Sequence, residues 1–283
     1  MSELAPPVPL PAGRPIQLAG RGRTFVREAA GPPGAPTVLL LHGWTVTSDL
    51  NWFACYGPLA ESYRVIAMDH RGHGQGIRSW RPFRLEDCAD DAAAVLRELD
   101  AGPVIAIGYS MGGAVAQLLW RRHPELVSGL VLCATACRFL RPDPRTQLYW
   151  GSMLGLSVAA RITPQPVRQQ LADTLIRRRL HGSALADWAM EEMRRCEHAA
   201  VFEAGWAIGR FRSEPWIGEV DVPTAVVVTA LDQVVEPRRQ RELAAAVPHA
   251  LRIEVEGDHA ACAADPDRFV PALLDACRAV SST

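Results

Sequence analysis

The residue types best suited to chemistry lie in the segment 108–113, which reads Gly-Tyr-Ser-Met-Gly-Gly. It follows the apolar run 104–107, typical of a buried strand, and precedes a stretch whose apolar residues recur at helical spacing. A serine on a tight turn between strand and helix needs small neighbours, and glycines two positions to either side provide them. The helix start adds backbone N–H donors where an oxyanion would develop. The pattern therefore predicts that Ser110 is a nucleophile.

The elements that must position Ser110 can be predicted from the spacing of apolar residues. Residues 23–28 alternate like an edge strand, and several later runs are continuously apolar, as in buried strands: 37–41, 64–68, 103–107, 129–133, 224–229 and 251–255. Helical spacing falls between them, at 85–99, 111–123, 237–246 and 267–280. Strands that alternate with helices predict a largely parallel sheet covered on both faces.

One long segment departs from this alternation. From about residue 137 to 216 no run resembles a buried strand, whereas helical periodicity and Gly/Ser turns predict several short helices. We therefore expect a proline-rich lead at 1–22, an α/β core at 23–136 and 217–283, and an inserted helical cap at 137–216.

Composition excludes several classes of function. All 30 basic residues are arginine, so catalysis through a lysine Schiff base, pyridoxal phosphate anchoring and a Walker A loop are excluded. The net charge of -1 provides no field that would attract nucleic acid or an anionic membrane. No run approaches the ~18 apolar residues of a membrane span, and the first residues lack a secretory pattern. We expect a cytoplasmic protein, with its seven cysteines as buried free thiols.

Three segments together resemble the α/β-hydrolase family, in particular its small capped esterases. They are residues 108–113, the His-Gly-Trp of 42–44 and the Asp-His-Arg-Gly-His-Gly of 69–74. The resemblance runs over about residues 23 to 280. It implies an α/β-hydrolase fold with a mostly parallel eight-stranded sheet, helices on both faces and a helical cap. It also implies that residues 69–74 form an architectural turn, whose two histidines do not bind metal.

The resemblance also implies a role for particular residues at each of these segments. Gly108, Tyr109 and Gly112 would form the nucleophile elbow around the serine. The backbone N–H groups of Trp44 and Met111 would form the oxyanion hole, and His42 would be structural.

A serine hydroxyl needs a histidine base, and that histidine needs an acid to orient it. Among eight histidines, His259 occupies the family's position for the base, between the last predicted strand and the final helix. Asp232 follows the strand 224–229 and resembles the family's acid. The chain departs from the family in carrying Thr229 where glycine is usual. Asp258 is adjacent to the base and is an alternative acid, although a neighbour in sequence reaches that ring's Nδ1 with difficulty.

The resemblance leaves the reaction to be argued from individual residues. A serine at 110 excludes epoxide hydrolases and haloalkane dehalogenases, which need a carboxylate there. Hydrolases of C–C bonds usually carry tryptophan just after the base, whereas residues 260–262 are Ala-Ala-Cys. We therefore expect a cofactor-independent hydrolase of a small-molecule carboxylic ester or lactone. The alternatives are a C–C hydrolase, a perhydrolase or acyltransferase with the same triad, and a non-catalytic ligand receptor or biosynthetic helper. Nothing in the sequence indicates the oligomeric state.

Overall fold

A computed structural model describes residues 6, 8–139, 144–164 and 184–281 of the 283-residue chain. Eight strands form one sheet in the order β1-β2-β4-β3-β5-β6-β7-β8. Strands β3 to β8 are mutually parallel, while β2 runs antiparallel to both β1 and β4. The strands are β1 (Gly13–Leu18), β2 (Gly22–Ala29), β3 (Thr37–Leu41), β4 (Arg64–Met68), β5 (Val104–Tyr109), β6 (Val127–Cys133), β7 (Thr224–Thr229) and β8 (Leu251–Val255).

Ten α-helices lie within the described residues. They are α1 (Ser48–Trp52), α2 (Tyr56–Ala60), α3 (Leu85–Glu98), α4 (Met111–Arg122), α5 (Pro144–Ile162), α6 (Ala184–Arg194), α7 (His198–Arg210), α8 (Pro237–Ala246), α9 (Ala261–Ala264) and α10 (Pro266–Ser281). The eight-stranded, mostly parallel sheet that the resemblance implies is confirmed.

Each face of the sheet has its own apolar core. Side chains alternate across a strand, so Leu39 and Leu41 of β3 belong to the core that contains side chains of α3, α4 and α8, whereas Val38 and Leu40 belong to the core with side chains of α2 and α10 on the other face. Burial on both faces explains why the central strands are continuously apolar in sequence.

The first strand corrects the expected boundary of the core. Residues 13–18, assigned from the sequence to the lead of 1–22, form β1 and pair antiparallel with β2. Consequently β1, and not the strand predicted at 23–28, is the edge of the sheet. Buried Ile16 and Leu18 alternate in β1 with exposed residues, but Pro15 hid that pattern because a proline argues against a central strand. An edge strand tolerates a proline, since one row of its N–H groups has no partner strand.

Helices α5, α6 and α7 follow β6, and the described parts of 137–216 contain no strand. Residues 140–143 and 165–183 of the predicted cap lie outside the described residues. The Trp44 indole N–H donates to the Val201 carbonyl of α7 at 2.7 Å, and Thr47 donates to Glu192 of α6 at 2.7 Å. Trp44 and Thr47 lie on the loop that leaves the carboxyl end of β3. Helices α6 and α7 therefore contact the loop at the edge of the sheet where Ser110 also lies.

Two further sequence expectations concern cysteines and membrane spans. All seven cysteines are buried and free, as expected. In the part of the chain that the structure describes, no helix combines the length and apolar character needed to cross a membrane.

Candidate active site

Ser110 occupies a sharp turn between β5 and α4. Its backbone has φ 53° and ψ -115°, a conformation that residues other than glycine rarely adopt. A Cβ on Gly108 would lie 2.3 Å from the carbonyl oxygen of Gly112, and one on Gly112 would lie 2.0 Å from that of Leu41. Only glycine therefore fits at these two positions, and the turn holds the serine at the carboxyl edge of the sheet.

The structure brings His259 and Asp232 together with this serine. The Nε2 atom of His259 lies 3.0 Å from the Ser110 Oγ, and its Nδ1 lies 2.7 Å from Oδ2 of Asp232. The three residues follow β5, β7 and β8, whose carboxyl ends meet at one edge. Nε2 can therefore accept the serine proton while Nδ1–H donates to the carboxylate.

Asp258, the alternative acid, has a different contact. Its Oδ1 accepts the backbone N–H of Ala260 at 2.8 Å, and its side chain is exposed. The geometry therefore favours Asp232 as the acid that orients the imidazole.

Asp232 is held as an ionised acceptor. Its Oδ1 accepts the backbone N–H groups of Val234 and Val235, at 2.8 and 2.9 Å. Burial alone would raise the pKa of Asp232, but hydrogen bonds and the charge of His259 outweigh it, so the pKa lies below its ordinary value. The carboxylate therefore remains charged under conditions in which the imidazole takes up a proton.

The two amides expected to stabilise an oxyanion belong to two segments next to Ser110. Met111 is the first residue of α4, so its N–H has no partner within the helix. Trp44 follows Gly43, and a Cβ on Gly43 would lie 3.6 Å from the Cβ of Ser110. Both amides thus belong to segments that contact the serine, and the dipole of α4 has its positive end there.

His42 holds the loop that carries Trp44. Its Nδ1 donates to the carbonyl of Gly43 at 2.7 Å, and its Nε2 accepts the backbone N–H of His70 at 2.9 Å. Burial lowers the pKa of His42 well below its ordinary value, that of His70 to about 3 and that of His73 to about 4. The three rings are therefore neutral. Within residues 8–139, 144–164 and 184–281, no group of three His, Cys, Asp or Glu side chains could hold a metal ion.

Two contacts at the site were missed by sequence reasoning. Asn51 accepts the backbone N–H of Gly43 through Oδ1 at 2.8 Å, which anchors the Trp44 loop to α1. Tyr109, expected only as part of the elbow, donates its hydroxyl to the backbone carbonyl of His259 at 3.0 Å. Neither contact has a signal in the sequence, because each joins segments that only the fold brings together.

Replacing Asn51 with leucine is expected to lower the free energy of unfolding by about 1–3 kcal/mol, because the buried N–H of Gly43 loses its acceptor. We also expect kcat to fall, though by less than the ~10²–10³-fold that follows loss of an oxyanion donor itself. Urea unfolding and steady-state kinetics would measure both.

The control for that substitution is Thr24→Val, which removes another buried hydrogen bond from a side chain to the backbone. In the wild type the Thr24 hydroxyl donates to the carbonyl of Asp69. Thr24→Val should lower stability and leave kcat unchanged. A wild-type kcat in Asn51→Leu would contradict the assigned role of Asn51.

Comparison with known proteins identifies the family. A family model described as alpha/beta hydrolase fold matches residues 36–266. This chain belongs to the α/β-hydrolase family. It is 31% identical, over 73% of its length and 79% of the relative, to a pimeloyl-[acyl-carrier protein] methyl ester esterase of Neisseria meningitidis.

Other similarities are shorter or more distant. The chain is 37% identical to the bifunctional esterase/perhydrolase DCH of Acinetobacter calcoaceticus, over 34% of each chain. It is also 37% identical to the proline iminopeptidase PfmaB of Pestalotiopsis fici, over 41% of this chain and 42% of that protein. It thus covers less than half of either protein. The enol-lactonase of Burkholderia xenovorans has the same fold, with a TM-score of 0.78, 22% identity, and coverage of 94% of this chain and all of that one.

Proposed function

We propose that this protein is a serine hydrolase that cleaves a carboxylic ester or lactone through an acyl-enzyme on Ser110. The observation that carries the proposal is the continuous contact from the Ser110 Oγ to Nε2 of His259, 3.0 Å, and from Nδ1 to Asp232, 2.7 Å. A binding protein would need neither this contact nor a strained serine. The names of two relatives, an esterase and an esterase/perhydrolase, support the same reaction class.

In the first half of the reaction, the Ser110 oxygen attacks the acyl carbon while Nε2 of His259 takes the hydroxyl proton. The carbonyl oxygen becomes an oxyanion, to which the N–H groups of Trp44 and Met111 donate. The imidazolium, paired with Asp232, then protonates the departing alkoxide as the C–O bond breaks. An ester loses its alcohol at this step, whereas the hydroxyl released from a lactone stays attached to the acyl group, and in both cases the acyl group remains on the serine.

In the second half, His259 takes a proton from water, and the resulting hydroxide attacks the acyl carbon. The second tetrahedral intermediate collapses, Ser110 recovers its proton from the imidazolium, and the carboxylic acid leaves. Every proton and bond in this scheme is assigned to the chain, the ester or water. The proposal therefore requires no metal or organic cofactor.

We further propose that residues 137–216 cover the site as a cap, because α6 and α7 contact the loop that carries Trp44. Not every large apolar side chain of this segment lines the active site. Trp188 of α6 packs edge-on against Phe53, at 5.5 Å between ring centroids. Trp206 lines a surface cavity of about 460 Å³ that does not include Ser110. Both tryptophans thus have roles in packing or in this separate cavity.

A small molecule as the substrate and a cytoplasmic location complete the proposal. A series of chromogenic esters of increasing acyl length, with a lactone and a ring-cleavage diketone, would test the reaction class. We expect hydrolysis of the esters with an optimum in acyl length, no cleavage of the diketone, and full activity after exhaustive EDTA treatment. Hydrogen peroxide is added as a second acyl acceptor because one relative is named a perhydrolase.

The opposite pattern in that series would contradict the proposal. Cleavage of the diketone with no turnover of any ester would assign the site to C–C hydrolysis. Loss of activity with EDTA, restored by a divalent ion, would contradict the metal-free mechanism.

A further inference from the structure

Two buried side chains contact the carboxylate of Asp232 beside His259. The hydroxyl of Thr229, the last residue of β7, lies 2.8 Å from Oδ2 of Asp232, and Nε2 of Gln240 on α8 lies 3.1 Å from the same oxygen. Thr229 and Gln240 are both fully buried. Oδ2 is also the atom that accepts Nδ1–H of His259. Three donors therefore converge on one oxygen.

The contacts of Gln240 fix the direction of the Thr229 hydroxyl. Oε1 of Gln240 accepts the backbone N–H of Thr229 at 2.9 Å, so its amide cannot flip without losing that bond. One N–H of Nε2 donates to the carbonyl of Val235 at 2.7 Å, and the other is shared between the Thr229 oxygen at 2.9 Å and Oδ2 of Asp232 at 3.1 Å. The Thr229 oxygen lies 3.3 Å from Oε1 of Gln240 and 2.8 Å from Oδ2 of Asp232. Because this oxygen already accepts from the amide, and the carboxylate is both the nearer and the charged acceptor, its own proton is directed to Asp232. Gln240 therefore donates to the Thr229 oxygen, and the Thr229 hydroxyl donates to the carboxylate of Asp232.

We propose that Thr229 and Gln240 are positioning residues that hold the Asp232 carboxylate and limit how much of its charge acts on His259, thereby setting the pH range of activity. The inference rests on the proposed function, since it assigns Asp232 and His259 the roles given above. Glycine, usual in the family at position 229, could not supply the hydroxyl.

The donors to Asp232 compete for the negative charge of one oxygen, Oδ2. Each donor that bonds to Oδ2 draws on its negative charge, which weakens the attraction between that oxygen and a protonated imidazole. Without the Thr229 hydroxyl, more of the negative charge on Oδ2 of Asp232 acts on His259, and the protonated form of His259 becomes more stable. The base must be neutral to accept the serine proton. The rise of kcat/KM with pH should therefore move to higher pH when the hydroxyl is removed.

Among the described residues, the other titratable groups near Asp232 and His259 either do not ionise in the neutral range or face away from these two side chains. Burial raises the pKa of Tyr109 on β5 well above its ordinary value, and that of Cys262 on α9 to about 12. Asp258 is exposed and bonded to the backbone. Three of the four charged side chains of α8 lie in exposed ion pairs, Arg238 with Glu242 and Arg241 with Glu254 of β8. The fourth, Arg239, donates to the carbonyl of Arg138 at 3.1 Å.

The test compares Thr229→Val with Thr229→Ser and a matched control, Thr224→Val, in the full chain. Valine keeps the volume of threonine and removes the hydroxyl, whereas serine keeps the hydroxyl. Thr224 begins the same strand and is buried, and among the described residues its hydroxyl bonds only to the carbonyl of Val222. The measurement is kcat/KM of a chromogenic ester against pH, with kcat and KM determined separately on the plateau.

For Thr229→Val we expect kcat to fall roughly 10-fold with little change in KM, the effect of one hydrogen bond to a charged group. The midpoint of the rise should move up by roughly half a pH unit. Thr229→Ser should restore both values, and Thr224→Val should change neither. Gln240→Met provides a second variant if valine at 229 does not fold, and its midpoint should move in the same direction.

An active Thr229→Val enzyme with an unchanged midpoint would overturn this inference, as would a serine variant that fails to restore kcat. That result would leave the proposed function intact. Ester hydrolysis that does not depend on Ser110 would instead overturn the proposed function itself, and the two failures are therefore distinguishable.

Discussion

Replacing Ser110 with alanine is expected to lower kcat for ester hydrolysis by about 10⁶-fold, because the variant has no atom that can form the acyl-enzyme. Folding should be preserved, since alanine differs by one hydroxyl and meets the same backbone strain at φ 53°. The measurements are single-turnover and steady-state kinetics on a chromogenic ester, together with thermal unfolding.

The control for this variant is Ser213→Ala, which removes another buried hydroxyl. Ser213 donates to Oε1 of Gln117 at 2.6 Å, and its loss should reduce stability without abolishing turnover. A folded Ser110→Ala protein that retains wild-type kcat would contradict the nucleophile assignment.

Asp232→Asn is expected to fold and to lower kcat by about 10⁴-fold. An asparagine can turn its NH₂ toward Nδ1 of His259, which favours the tautomer with the proton on Nε2, the atom that must accept from Ser110. The matched control is Asp258→Asn, the same change on the adjacent loop, which removes a bond to the backbone only. We expect that control to remain within a few-fold of wild type.

The ranking of these two aspartate variants is the informative result. If Asp258→Asn lost the larger part of kcat and Asp232→Asn kept it, the acid would be Asp258, and the contact of Asp232 with His259 would be structural only. Unfolding curves for both variants exclude a loss of folded protein as the cause.

The parts of the fold with strong local signals could be predicted from the sequence. The four helices predicted at 85–99, 111–123, 237–246 and 267–280 are present, each within two residues of the predicted ends. The buried strands could be predicted as well, because their apolar runs lie between glycine or proline turns. The turn around Ser110 was predictable for the same reason: its glycines lie at a fixed spacing, and that spacing has a steric cause.

The contacts that complete the site have no such signal. Gln240 was predicted to lie on a helix, but nothing in the spacing of α8 indicates that its amide reaches Thr229 across the top of β7. Asn51 is likewise separated from Gly43 by a loop whose path depends on packing. The strand β1 was missed for another reason. Pro15 interrupts its alternation of buried and exposed residues, although an edge strand tolerates a proline.

The most direct test of an acyl-enzyme mechanism on Ser110 is covalent labelling with a fluorophosphonate probe, followed by peptide mass spectrometry. We expect one phosphonyl group per chain, located on Ser110, with loss of ester hydrolysis in proportion to labelling and no labelling of Ser110→Ala. The His259→Ala variant should label far more slowly, since no base takes the serine proton. Complete loss of hydrolysis with the label on another residue, or undiminished hydrolysis by fully labelled protein, would contradict a mechanism through an acyl-enzyme on Ser110.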